Sequence, residues 1–84
     1  MLTFYPAMID EKVYMVSVCT MEQGYKVYIV EKEIGVLSIC ILGSFGIIPK
    51  ISSDYTYPFM LNTYIIDELN LFIEEHFEEF ITEN

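Results

Sequence analysis

The residues equipped for chemistry in this sequence are few: one histidine, His76; two cysteines, Cys19 and Cys40; and a run of carboxylates in the C-terminal quarter. A metal centre would need further His or Cys ligands around His76, and none stands three or four residues away. Glu75 and Glu79 do flank His76, but carboxylates on a helix are ordinarily solvated. A nucleophile–base pair would have to join His76 to Cys19, Cys40 or a serine, and no motif supports that. The stretch Gly43-Ser44-Phe45-Gly46 lacks the spacing of a phosphate-binding loop and has no helix after it, so a plain turn is expected there. The two cysteines sit among apolar neighbours and read as buried structural thiols, or as a bridge if their strands pair. The expectation is no enzyme activity, no cofactor and no metal site.

The carboxylates carry more information. Residues 62–82 have helical spacing: Ile66, Leu69, Ile73, Phe77 and Phe80 recur at intervals of three and four, with Ile65, Phe72 and His76 beside them. At roughly 100° per residue, Asp67, Glu68, Glu74, Glu75, Glu78 and Glu79 fall on the opposite face. Tyr64 and Leu71 fall in the middle of that acidic face. No Lys or Arg follows Lys50. Like charges four apart (Glu74 with Glu78, Glu75 with Glu79) cost a few tenths of a kcal/mol each. Glu78, Glu79 and Glu83 also stand where a single long helix would prefer cations. An apolar pair ringed by carboxylates is the pattern of an interface core with a charged rim. Tyr64, Asp67, Glu68, Leu71, Glu74, Glu75, Glu78 and Glu79 are therefore the candidate partner-binding residues.

The elements that position this face follow from periodicity. Residues 2–9 read as a short strand, made an edge by Pro6, which lacks a ladder donor. Residues 10–12 are a polar turn. Residues 13–20, 25–32 and 36–42 are rich in β-branched and aromatic side chains and read as three longer strands. Glu22-Gln23-Gly24 and Glu33-Ile34-Gly35 supply tight turns between them. Residues 47–51 suit a short fifth strand. Asn62 or Thr63 suits a helix N-cap, with Asp67 and Glu68 in the first turns. The fold expected is α+β: an antiparallel β-meander of three to four strands, with a short fifth as an option, packed by one C-terminal amphipathic α-helix. The chain divides into a β-rich part over 1–51, a loop over 52–61 and a helix over 62–82.

Composition bounds the partners. The 84 residues make one domain, with 54% hydrophobic residues and a net charge of −9. All four cations are lysines, Lys12, Lys26, Lys32 and Lys50. Phosphate affinity comes from Lys and Arg, so direct nucleic-acid binding is not expected. The same charge repels anionic membranes. The longest uncharged run, 34–49, is interrupted by glycines and falls short of the roughly 20 residues a membrane helix needs. No secretory signal is evident at the N-terminal end, so a cytoplasmic location is expected.

The stretch 4–18, FYPAMIDEKVYMVSV, resembles the first hairpin of HicB-type antitoxins; the residues after it do not continue that pattern. By small size, acidity and absent chemistry the chain is also similar to DNA-mimic inhibitors, among them anti-restriction and anti-CRISPR proteins, and to nuclease immunity proteins. These features favour a small acidic inhibitor or antitoxin that blocks a basic nucleic-acid-handling protein, reached quickly by electrostatic steering. The alternative is a homo-oligomeric structural or assembly protein, with a homodimer formed through the weakly polar strands 13–20 and 36–42. A third option, a small-molecule cleft, would lie near Tyr55, Tyr57 and Tyr64.

Overall fold

The computed structural model describes residues 1–43, 47–52 and 61–84. Four strands, β1 (Tyr5–Ile9), β2 (Lys12–Met21), β3 (Gly24–Glu31) and β4 (Gly35–Leu42), form one antiparallel sheet in the order β1-β2-β3-β4. The expected meander is therefore present, and Pro6 lies in an edge strand. Residues 2–4 are outside β1. Residues 47–51 form no strand. The side-chain amide of Asn70 instead takes the place of a strand neighbour: Oδ1 accepts from Ile51 N at 2.7 Å and Nδ2 donates to Ile51 O at 2.9 Å. Residues 44–46 of the expected turn and most of the loop expected over 52–61 lie outside the described residues.

The inner face of the sheet is the core. Alternation puts Ala7, Tyr14, Val16, Val18, Tyr25, Val27, Ile29 and Ile39 on one side, all buried. Two helices cover that side: α1 (Thr63–Glu75) and α2 (Phe77–Glu83). Their stripe of Ile66, Leu69, Ile73, Phe77 and Phe80 is buried against it. Each fully buried aliphatic of this kind contributes roughly 1.5–3 kcal/mol. Phe77 meets Tyr25 edge-on at 5.6 Å and Phe80 meets Tyr5 at 5.1 Å, which fixes α2 over the sheet. None of the described helices is long and apolar enough to cross a membrane.

The single helix expected over 62–82 is interrupted. His76 (φ −113°, ψ 15°) closes α1, donating its backbone N–H to Phe72 O at 3.1 Å, and opens α2. Its ring lies 4.4 Å from that of Phe72. Asn62 is the N-cap, its side chain accepting from Ile65 N at 2.9 Å. The first turn of α1 holds no acid, so Asp67 and Glu68 begin one turn later than the dipole argument would place them.

The hairpins are set by backbone conformation. Asp10 (φ 50°) and Glu11 (φ 65°) are both left-handed, the two-residue turn that suits a twisted hairpin. Glu11 is an unusual occupant, because a Cβ is strained there. Gly24 (φ 150°) lies where β3 starts, and a Cβ on it would run into the Ile41 carbonyl oxygen of β4. The β3–β4 turn is closed by Glu31, a buried carboxylate whose Oε2 accepts from Glu33 N at 2.8 Å and Ile34 N at 3.1 Å. Asn84 closes the edge of β2 beyond β1, with Oδ1 accepting from Thr3 N at 2.7 Å and Nδ2 donating to Ser17 Oγ and Val18 O, both at 3.1 Å.

Two substitutions test these turns in opposite directions. Glu11→Gly relieves left-handed strain and is expected to raise unfolding free energy by about 0.5–1 kcal/mol. Gly24→Ala is expected to lower it by about 2–4 kcal/mol, through both the φ penalty and the Ile41 clash. Urea denaturation of the two variants checks both; a stable Gly24→Ala protein would show that β4 does not pass so close.

Candidate functional site: the acidic helix face

The residues expected to meet a partner lie on the two helices, Tyr64, Asp67, Glu68, Leu71, Glu74 and Glu75 on α1 and Glu78 and Glu79 on α2. Tyr64, Asp67, Leu71, Glu74, Glu75, Glu78 and Glu79 are exposed and Glu68 is half-buried. Tyr64 and Leu71 stand out, at 52% and 48% exposed, because large apolar groups in this position have no core role. Among the described residues no lysine forms an ion pair with any of these carboxylates. Lys12 and Glu33 form an ion pair at 2.7 Å, across the two turns at one end of the sheet, and His76 Nδ1 lies at hydrogen-bond distance, 3.2 Å, from Glu79 Oε1.

Two hollows flank Leu71. One, of about 250 Å³, is a trough between β1 and α1 lined by Ala7, Met8, Ile9, Glu68, Leu71, Phe72 and Glu75. Its helix wall carries the carboxylates of Glu68 and Glu75. The other, of about 260 Å³, is lined by Lys50, Asp67, Asn70, Leu71 and Glu74. Lys50 is thus the one cation beside the acidic face, and it forms no ion pair within 4 Å there. Asp10 and Lys50 border this surface, which sequence spacing did not reveal, because their place depends on the β1–β2 turn and residues 47–52 lying against α1.

The field of the carboxylates reaches neighbouring groups. The Tyr64 phenol is pushed above its ordinary value, chiefly by Asp10 and then by Glu68. The Tyr5 phenol is raised by burial first, with Glu83 and Glu79 adding to it. Negative potential therefore extends along the β1 flank from the Asp10 turn to α2. At the same end of the sheet as the Asp10 turn, the Lys12 ammonium holds the Glu33 carboxyl below the usual carboxylate range, and the Glu33 hydrogen bond raises Lys12 in turn.

The interruption at His76 changes the meaning of two carboxylates. In one continuous helix Glu78 and Glu79 would oppose the dipole near its C-terminal end. In the structure they lie in the first turn of α2, where negative charge is favoured. Glu74 and Glu75 remain in the last turn of α1, and Glu83 in that of α2, without a basic residue in either turn.

The cysteines differ from the sequence expectation. Cys40 is exposed and Cys19 half-buried, and both are free thiols. Each stands opposite Lys26, on the two strands that flank β3. Two strand spacings, about 10 Å, separate them, beyond the reach of a disulfide. Both belong to the outer face of the sheet, which among the described residues no helix covers; the alternation of a weakly polar strand did not disclose which face that was. Among the described residues no group of three or more His, Cys, Asp and Glu is placed to hold a metal ion. Tyr55 and Tyr57 of the expected cleft lie outside the described residues, and Tyr64 projects from α1 into solvent.

The field at Tyr64 is directly measurable. Asp10→Asn and Glu68→Gln should each bring the Tyr64 phenol down toward the usual value of about 10, followed by ¹³C-tyrosine NMR titration. Raised salt should do the same in the unaltered protein. An unmoved Tyr64 would show that the two carboxylates do not share its surface. The chain matches no family model, no curated protein and no solved structure, and its function is read from its own surface chemistry.

Proposed function

We propose that this protein is a small acidic inhibitor or antitoxin that docks its α1–α2 face on a basic, nucleic-acid-handling protein. Carboxylates along the helices occupy lysines and arginines that otherwise hold phosphates, in the manner of a DNA mimic. The observation that carries this reading is the exposure of Tyr64 and Leu71 among Asp67, Glu68, Glu74, Glu75, Glu78 and Glu79, with no lysine of the chain pairing those groups among the described residues. An apolar pair supplies area to bury, the carboxylates around it supply orientation and a fast encounter, and the trough beside β1 accepts a side chain from the partner. The net charge of −9 argues against duplex DNA or RNA as the direct ligand. The free thiols Cys19 and Cys40 suit a reducing compartment, and the reading places the protein in the cytoplasm.

The matching variant replaces Glu74, Glu75, Glu78 and Glu79 by Gln. Its unfolding free energy should change by less than about 1 kcal/mol. Relief of the i, i+4 repulsion is offset by loss of the favourable first-turn charge in α2 and of the exposed His76–Glu79 pair. Affinity capture from a nuclease-rich lysate should retain basic proteins at low salt and release them at high salt. Titration of the captured partner with the variant should then show binding weaker by roughly 10–100-fold. Partners that are not basic, or binding indifferent to salt, would dismiss the reading.

A further inference from the structure

The helices cover one side of the sheet, and the register defines what the other side carries. Running from one end to the other, its rows are Met8–Val13, then Pro6–Met15–Val30–Val36, then Ser17–Tyr28–Ser38, then Cys19–Lys26–Cys40, and last Met21–Gly24–Leu42. The chain has 13 Asp and Glu, and not one stands in these rows. Charge is represented by Lys26 alone, its ammonium held 5.4 Å over the Tyr28 ring. Met8, Val13, Val36 and Leu42 are 69%, 44%, 68% and 76% exposed, values expected of surface polar groups and not of large apolar ones. Near the middle is a hollow of about 250 Å³ lined by Phe4, Met15 and Val30. Among the described residues no helix lies over this face; Phe4 packs its ring edge-on to Tyr28 at 6.4 Å, and Ser17 is buried, its Oγ accepting from Asn84 at 3.1 Å.

We propose that the outer face of the sheet is a docking surface for a second copy of this chain, giving a face-to-face pair of sheets with the helices outermost. Two arguments select this occupant. The first is charge. Two chains of −9 repel, and they can associate only through a surface without carboxylates. This face is such a surface, and pairing through it sets the two acidic helix faces on opposite outer sides. A basic partner has nothing to pair with here. The second is area. Four strands of 5, 10, 8 and 8 residues present at most roughly 500 Å². Two copies then bury at most about 1,000 Å², the lower bound for a specific interface. The association is therefore concentration-dependent and isologous, with the sheets about 10 Å apart as in a β-sandwich. Lys26 keeps its place over Tyr28, a contact that offsets part of its loss of water.

Sedimentation velocity of the whole chain between about 1 µM and 1 mM should show a monomer converting to a dimer. Conversion should be greater at high salt, since screening weakens the repulsion and leaves apolar contact intact. Docking to a basic partner through the acidic face weakens with salt, so the failure of either reading is separable from that of the other. Val13→Glu with Val36→Glu, at exposed positions outside the core, should weaken dimerisation at least about tenfold with unchanged circular dichroism. In the unaltered protein, reaction of Cys40 with a water-soluble disulfide reagent should slow as concentration rises. A monomer throughout the range, a dimer untouched by the double substitution, or a Cys40 rate independent of concentration would each overturn the proposal.

Discussion

The architecture depends on one apolar contact: the helical stripe of Ile66, Leu69, Ile73, Phe77 and Phe80 against the inner row of Val16, Val18, Val27 and Ile29. A chain of this length has little surface to spare for a core, and every helical apolar residue of the stripe is committed to it. Two consequences follow from geometry alone. The far side of the helices is left for charge, and among the described residues no helix covers the far side of the sheet. The two candidate surfaces of the molecule are thus the reverse sides of a single packed layer pair.

Most of that layer pair was legible in the sequence because its signals are local. Alternation marks Tyr25, Val27 and Ile29 as one strand face, and spacing of three and four marks the helical stripe, whatever the rest of the chain does. Pro6 announces an edge for the same reason. What was not legible depends on residues far apart in the chain. Asn70 reads as an ordinary helical polar residue until residue 51 is beside it. Glu31 reads as the end of a strand until its carboxylate folds back over the turn. Cys40 reads as a core thiol because its neighbours are apolar, and only the choice of covered face shows it exposed. The break at His76 falls inside an unbroken helical period; the aromatic and acidic neighbours it engages, Phe72 and Glu79, are themselves in phase with the helix.

The acidic face was legible as a stripe, and its electrostatic meaning was not. With α2 beginning at Phe77, the carboxylates divide into two groups. Glu78 and Glu79 are favoured by the local backbone and need no outside partner to account for them. Asp67, Glu68, Glu74 and Glu75 on α1 have no such compensation, and they are the ones that border Leu71 and the two hollows. The charge that bears on binding is therefore concentrated on the first helix, nearer to β1 and Lys50 than a uniform helical stripe would suggest.

The amide of Asn70 has a consequence for the molecule's internal hierarchy. A strand is ordinarily held by a ladder of bonds shared with its neighbour, so it detaches only with the sheet. Ile51 is buried in the core yet has its N–H and C=O satisfied by one side chain. Were its segment to lift from α1, the four-stranded ladder would stay intact. Amide exchange would then divide into tiers, with Ile51 releasing its proton through a local opening well below the free energy that guards Val18 and Val27.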